Sequence, residues 1–177
     1  MITKDYSFKG KHAQYVKEMV DSRDNIGIFK RNIDVFLTAP LIGLFFDRKS
    51  EIDKDSFDTK IFYEVIAKEM ANIEFVYEEV MLCMQSKDPM ISIDMAFKEQ
   101  SDHEKMKENF KVFEKYLLGG IEVLYENLFQ KSNSREELIY SILEFSELLN
   151  EKIANFSNET QVDYDQIIKE ILNGIKK

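Results

Sequence analysis

The chain has 177 residues, 44% hydrophobic and 32% charged, enough for one globular domain with its own core and unlike a disordered polypeptide. Six glycines and two prolines are too few for the many tight turns of a β-sandwich or barrel, and the single cysteine, Cys83, excludes an intramolecular disulfide and fits a reducing compartment. The net charge of −9 is uneven: residues 1–49 carry nine Lys and Arg against six Asp and Glu, and residues 50–177 carry fifteen against twenty-seven. An acidic majority keeps a helical protein dispersed, and such asymmetry can also mark a partner surface.

The opening stretch MITKDYSFKGKH holds no apolar signal-peptide core, so a cytoplasmic location is expected. The first helix is predicted over Lys9–Val20, with Ala13, Val16, Met19 and Val20 on one face and Lys11, Lys17 and Glu18 outside. Ser22–Asn25 reads as a polar turn. Between Ile26 and Phe46 the pattern changes. From Ile33 to Phe46 apolar residues cover every side of a helix, the mark of a central bundle element, while Asp34 and the short length argue against a membrane span. Pro40 removes a backbone donor and should kink or restart this helix, with Thr38 as a possible new cap. Two short strands at Ile26–Phe29 and Val35–Leu37 are the alternative.

Asp47–Asp58 is a charged connector. A long helix should follow from about Lys60 to Ser86, with Phe62, Ile66, Met70, Ile73, Tyr77, Val80 and Met84 as its core seam. Asp88 before Pro89 opens a short helix that ends near Gln100. Ser101 with Glu104 forms a capping box for another long helix with a seam at Met106, Phe110, Phe113, Leu117, Ile121, Leu124 and Leu128. Gly119-Gly120 interrupts it, marking close helix approach or a kink, or less often a ligand site. Ser134 with Glu137 is a second capping box, opening a helix with a seam at Leu138, Ile142, Phe145, Leu149 and Ile153. After a polar break at Ser157–Gln161, a last helix is expected from about Asp163 to Ile175. The expected fold is all-α: a single domain over residues 1–177, a bundle of about six to seven helices around the apolar helix 33–46.

The sequence offers little catalytic chemistry. Neither His12 nor His103 has a glutamate three residues before it, as a di-iron bundle requires, and the glutamates are expected on solvent faces. Asp53, Asp55 and Glu64 match calcium-loop positions, but Asp58 stands where the sharp turn needs glycine. Cys83, among Met81, Leu82 and Met84, reads as a small buried hydrophobe; both histidines fall on predicted polar surfaces. No Gly-x-Ser-x-Gly elbow or phosphate-binding glycine loop is present. No catalytic residue, metal or cofactor is therefore expected.

Two kinds of partner remain. Lys9, Lys11, Lys30, Arg31, Arg48 and Lys49, with Tyr6, Phe8 and Tyr15 interleaved, form a candidate nucleic-acid surface. The competing reading is a solvated rim whose cations pair with the acidic part of the same molecule. Phe75, Ile91, Tyr116, Tyr125 and Tyr140 lie outside the main seams and could face a protein partner or a second copy.

The stretch Ile28-Phe29-Lys30-Arg31-Asn32-Ile33-Asp34-Val35-Phe36, continuing LTAPLIGLFFDRKSEID, resembles a segment of small helical proteins associated with bacterial Dnd systems, which place sulfur in the DNA backbone and defend against foreign DNA. The shared elements are an Ile-Phe, a polar pair, an Asp-Val-Phe, an apolar helix ending in a Gly-aromatic step, then basic residues, over about residues 28–52; Pro40 is a departure. The resemblance implies a non-enzymatic accessory or scaffolding subunit of a DNA-handling antiphage system, with protein partners and possible DNA contact through the basic N-terminal quarter. The alternatives are a helical adaptor or homo-oligomer without nucleic-acid contact, and a small-ligand protein with a site near Gly119-Gly120.

Overall fold

The computed structural model describes residues 2–21, 27–84, 94–98, 102–132 and 134–159. They form a mostly helical assembly with one short ribbon, as the composition and periodicity predict, and none of the described helices is long and apolar enough to cross a membrane. The ribbon was not predicted. Strand β1 (Tyr6–Lys9) pairs antiparallel with β2 (Asp58–Ile61), Tyr6 opposite Ile61 and Lys9 opposite Asp58. Tyr6 and Phe8 alternate inward, but β2 is too polar for its period to stand out beside the charged connector.

Helix α1 (Gly10–Met19) follows β1 directly, burying Ala13, Val16 and Met19 as expected. The central helix α2 (Asn32–Phe45) runs unbroken through Pro40. Thr38 does not cap a new start; its hydroxyl donates back to the Asp34 carbonyl at 2.9 Å. The helix begins instead where the Asp34 carboxylate reaches back to the Arg31 backbone N–H at 2.9 Å. Of the strands considered as an alternative, Val35–Leu37 is helical and Phe29 makes one isolated bridge to Val20.

The helix expected from Lys60 to Ser86 is two: α3 (Tyr63–Lys68) and α4 (Met70–Cys83), separated at Glu69. Ile66, Ile73, Tyr77 and Val80 are buried, but Phe62 is 63% exposed because it sits in extended backbone between β2 and α3. Cys83, expected inside, is exposed near the end of α4. A π-type turn at Asp94–Lys98 packs beside α4, with the Tyr77 hydroxyl donating to the Met95 carbonyl at 3.2 Å.

Helix α5 (His103–Leu124) is the principal partner of α2. Its cap is Asp102, whose carboxylate accepts from the Glu104 and Lys105 N–H groups, rather than the expected Ser101, which lies outside the described residues. A π-type turn, Tyr125–Phe129, continues it. Helix α6 (Arg135–Glu159) opens with Ser134 Oγ accepting from the Glu137 N–H at 3.2 Å. Of its predicted seam, Leu138 and Phe145 are buried and Leu149 is half-buried, while Ile142 and Ile153 are 36% and 52% exposed. The Ser22–Asn25 turn, most of the Asp88–Gln100 helix, Ile91 and the Asp163–Ile175 helix lie outside the described residues. One apolar cluster joins β1, α1, α2, α4 and α5; at its centre Phe36 lies 5.0 Å from the Tyr6 ring and 5.9 Å from that of Phe113.

Candidate functional site

Glycine lets α2 and α5 meet backbone to backbone. A Cβ on Gly120 would strike the Ala39 carbonyl, and one on Gly43 the Tyr116 carbonyl. Gly119-Gly120 therefore marks close packing, and α2 backbone fills the place where a ligand site had been considered. Helix α2 stops in a Schellman turn: the Arg48 N–H donates to the Gly43 carbonyl at 2.8 Å, the Asp47 N–H to Leu44 at 3.0 Å, and Asp47 takes φ 48°. The turn carries the chain across α5, where a Cβ on Gly119 would strike the Arg48 carbonyl and the Ser50 N–H donates to the Lys115 carbonyl at 3.0 Å.

That crossing assembles a cluster around Glu122, a buried carboxylate on α5. Its Oε1 accepts from Ser50 Oγ at 2.6 Å and from Lys11 Nζ at 2.8 Å, with His12 Nε2 at 3.1 Å; its Oε2 accepts from Arg48 Nη2 at 3.1 Å and Nε at 3.2 Å. Arg48 also reaches Glu126 at 3.3 Å. The start of α1 is held from the other side. Asp53 Oδ2 accepts from the Lys11 backbone N–H at 3.0 Å, and Gly10, at φ +53°, leaves no room for a Cβ beside that carboxylate. At the far end of α1, Tyr15 stacks on Tyr125 with ring centroids 3.8 Å apart, and the Tyr125 hydroxyl donates to Glu18 at 2.8 Å.

Burial alone would raise the Glu122 carboxyl, but hydrogen bonds from Lys11, Ser50 and Arg48 outweigh it and bring it down to about 2. Burial lowers the His12 imidazole against the opposing pull of Glu122. A neutral ring donating from Nε2 fits this setting, since the buried Nδ1 has no hydrogen-bond partner and a proton there would be a stranded donor. The Glu122 hydrogen bond raises Lys11, and backbone N–H groups, Lys11 first, lower Asp53. Burial and then Glu18 push Tyr125 up to about 12.

The cluster is a clasp joining α1, the connector and α5. Ser50 donates to a carboxylate with a pKa of about 2, too weak a base to activate a hydroxyl, and His12 faces Glu122 rather than Ser50. Among the described residues no group of His, Cys, Asp and Glu is arranged to hold a metal ion.

The six predicted basic residues fall into two groups, at opposite ends of α2. Lys11 and Arg48 meet at Glu122, and Lys49 beside them lies 4.7 Å over the Tyr116 ring. Lys9 pairs with Asp58 at 3.2 Å across the ribbon. Lys30 and Arg31 stand at the other end of α2, roughly 20 Å away along fourteen residues. Arg31 there binds Asp34 at 2.6 Å and Glu69 at 2.8 Å. Lys30 is exposed.

Sequence reasoning missed Glu122 and His12. It placed the glutamates outside and both histidines on polar surfaces; His103 is exposed, but His12 is fully buried. The signal for Glu122 was its place as the lone acid within Leu117–Leu124, on a helix buried at all eight positions. Of the residues assigned to a second face, Phe75 and Tyr140 are exposed, Tyr116 is buried and Tyr125 is half-buried.

The sequence model of the family described as DNA sulphur modification system-associated protein 4 matches residues 9–166, and the chain belongs to that family. This agrees with the Dnd resemblance read from residues 28–52 and extends it over the clasp and α6. Comparison with curated proteins and with solved structures gave no match.

Proposed function

We propose that this member of the DNA sulphur modification system-associated family is a non-catalytic docking subunit, holding protein components of a bacterial antiphage system together. The observation that carries the reading is the outward side of α6, where Ile139, Tyr140 and Leu143 are 51%, 68% and 57% exposed. Adjacent apolar side chains left in water on a long helix are typical of a surface that meets another protein. The clasp supports the same reading from the other side: its charges are engaged with each other and serve to fix the fold. A tagged full-length chain, expressed beside its own system, should retain one or more of the system's proteins through washes at moderate salt. Recovery of the chain alone, monodisperse and monomeric by light scattering, would remove this reading.

DNA contact through the basic quarter is the second reading, favoured by the net positive charge of residues 1–49 and the adjacency of Lys11, Arg48 and Lys49. Acids already bind Lys9, Lys11, Arg31 and Arg48, so phosphate would have to displace them. A salt-sensitive shift of labelled duplex is the expected sign. Unchanged mobility at low salt and high protein concentration removes the DNA contact and leaves the docking reading intact.

A further inference from the structure

The apolar side of α6 has a defined pattern. Ile139, Ile142, Leu143 and Ser146 follow at steps of three, one and three, which places them on one side of a helix. They stand beside the buried Leu138 and Phe145, turned toward solvent. Ser146 does not interrupt the stripe, because its hydroxyl donates back to the Ile142 carbonyl at 2.8 Å. The border of the stripe away from the core carries Glu136, Glu144, Glu147 and Glu151, all exposed, and none forms an ion pair among the described residues. Apolar surface beside uncompensated negative charge selects its occupant. An anionic lipid surface and a nucleic acid are both repelled. A second copy, paired antiparallel about a two-fold axis, would set this acidic border against itself in a chain whose net charge is already −9.

We infer that this side of α6 is a docking site for a basic amphipathic helix of a partner protein, one presenting leucine-like side chains to Ile139, Ile142 and Leu143 and lysine or arginine to the glutamate border. The inference rests on the docking reading and specifies the partner's chemistry.

The test uses the full chain and two labelled synthetic helical peptides of about eighteen residues, with the same leucine pattern and either lysine or glutamate at the flanks. Fluorescence anisotropy should show saturable binding of the lysine peptide, at least tenfold tighter than the glutamate peptide. The charge-neutral double substitution Ile139→Ser with Leu143→Ser should weaken it at least tenfold, while the far-ultraviolet circular dichroism stays unchanged. Glu144→Gln with Glu147→Gln should weaken it about threefold and flatten its salt dependence. Equal binding to the wild type and the serine variant would mean attraction to net charge alone and overturns the inference. So does binding of neither peptide, as a side already covered by residues 160–177 or by a second copy would give. A chain that binds the lysine peptide but retains no protein of its system keeps this site and loses the docking function; the reverse result keeps the function and moves it to another surface.

Discussion

Helices α5 and α6 follow one another in the chain but meet the core in opposite ways. Helix α5 lies so close to α2 that Gly43 and Gly120 face each other's backbone, while Gly119 faces the backbone of the turn that follows α2. Its positions from Tyr116 to Leu124 are all buried. Helix α6 touches the rest of the molecule through the buried Leu138 and Phe145, the half-buried Leu148 and Leu149, Lys152 over the Phe46 ring and the turn that precedes it, with Phe145 stacked 5.8 Å from Phe46. It leaves Ile139, Tyr140, Ile142, Leu143 and Ile153 exposed. Surface consumed by the fold is unavailable to partners, so the two helices divide the work. The α2–α5 seam and its Glu122 clasp carry stability, and α6 carries the surface on which the docking reading rests.

The seam should break first. In Gly120→Val a branched side chain must occupy the position of the Ala39 carbonyl, and neither backbone can withdraw without opening the core on both sides. The expected loss is about 3 kcal/mol or more, at or beyond the upper end of overpacking costs. Urea unfolding followed by circular dichroism measures it. A loss under about 1 kcal/mol would show that the seam can open without harm, which would undo the contrast with α6.

The clasp should follow. Glu122→Gln keeps the volume but removes the charge shared by Lys11 and Arg48, both half exposed and able to recover some hydration. A loss of about 2 kcal/mol is expected, within the range for hydrogen bonds to charged groups. The pH dependence has a definite sign. A carboxyl lowered from 4.5 to about 2 in the folded state stabilises the protein above its ordinary pKa, and that stability drains away as pH falls from 4.5 toward 2. His12, lowered from 6.5 by burial, acts in the same direction at higher pH, because the unfolded chain takes up the proton first. Stability should therefore decline on acidification in two stages, one beginning below 6.5 and one below 4.5. Denaturation midpoints collected from pH 7 to pH 3 test this, and the second stage should shrink in Glu122→Gln.

The sequence revealed the seam better than the clasp. The all-round apolar pattern of residues 33–46 marked α2 as central, and regular steps from Met106 to Leu128 located the buried side of α5. Both signals are periodic and local. The clasp is neither: His12, Arg48, Ser50 and Glu122 come from three segments brought together by a Schellman turn whose left-handed position holds Asp47 instead of the usual glycine. The ribbon was hidden for a similar reason, since four-residue strands separated by all of residues 10–57 leave no pattern that a short window detects. Periodicity also overstated the core at Phe62, Ile142 and Ile153, because a seven-residue step gives the side of a helix but not whether anything packs against it. Cys83 was misplaced for the opposite reason: apolar neighbours in sequence put it inside, and the end of α4 puts it outside.

The smallest expected effect is the most informative about α6. Ile139→Ser with Leu143→Ser removes two branched side chains that are more than half exposed, so little transfer free energy is lost and no cavity forms. The double variant should lie within about 0.5 kcal/mol of the parent in urea unfolding. Leu138→Ala, one residue away on the same helix but buried, should cost about 2 to 3 kcal/mol. If neighbouring positions differ this way, the exposed stripe contributes nothing to the fold, and its apolar character needs an explanation outside the chain. If the serine variant instead loses as much as Leu138→Ala, something within the molecule already covers Ile139 and Leu143. Helix α6 would then resemble α5, with its surface consumed by the fold, and the division of work between the two helices would fail.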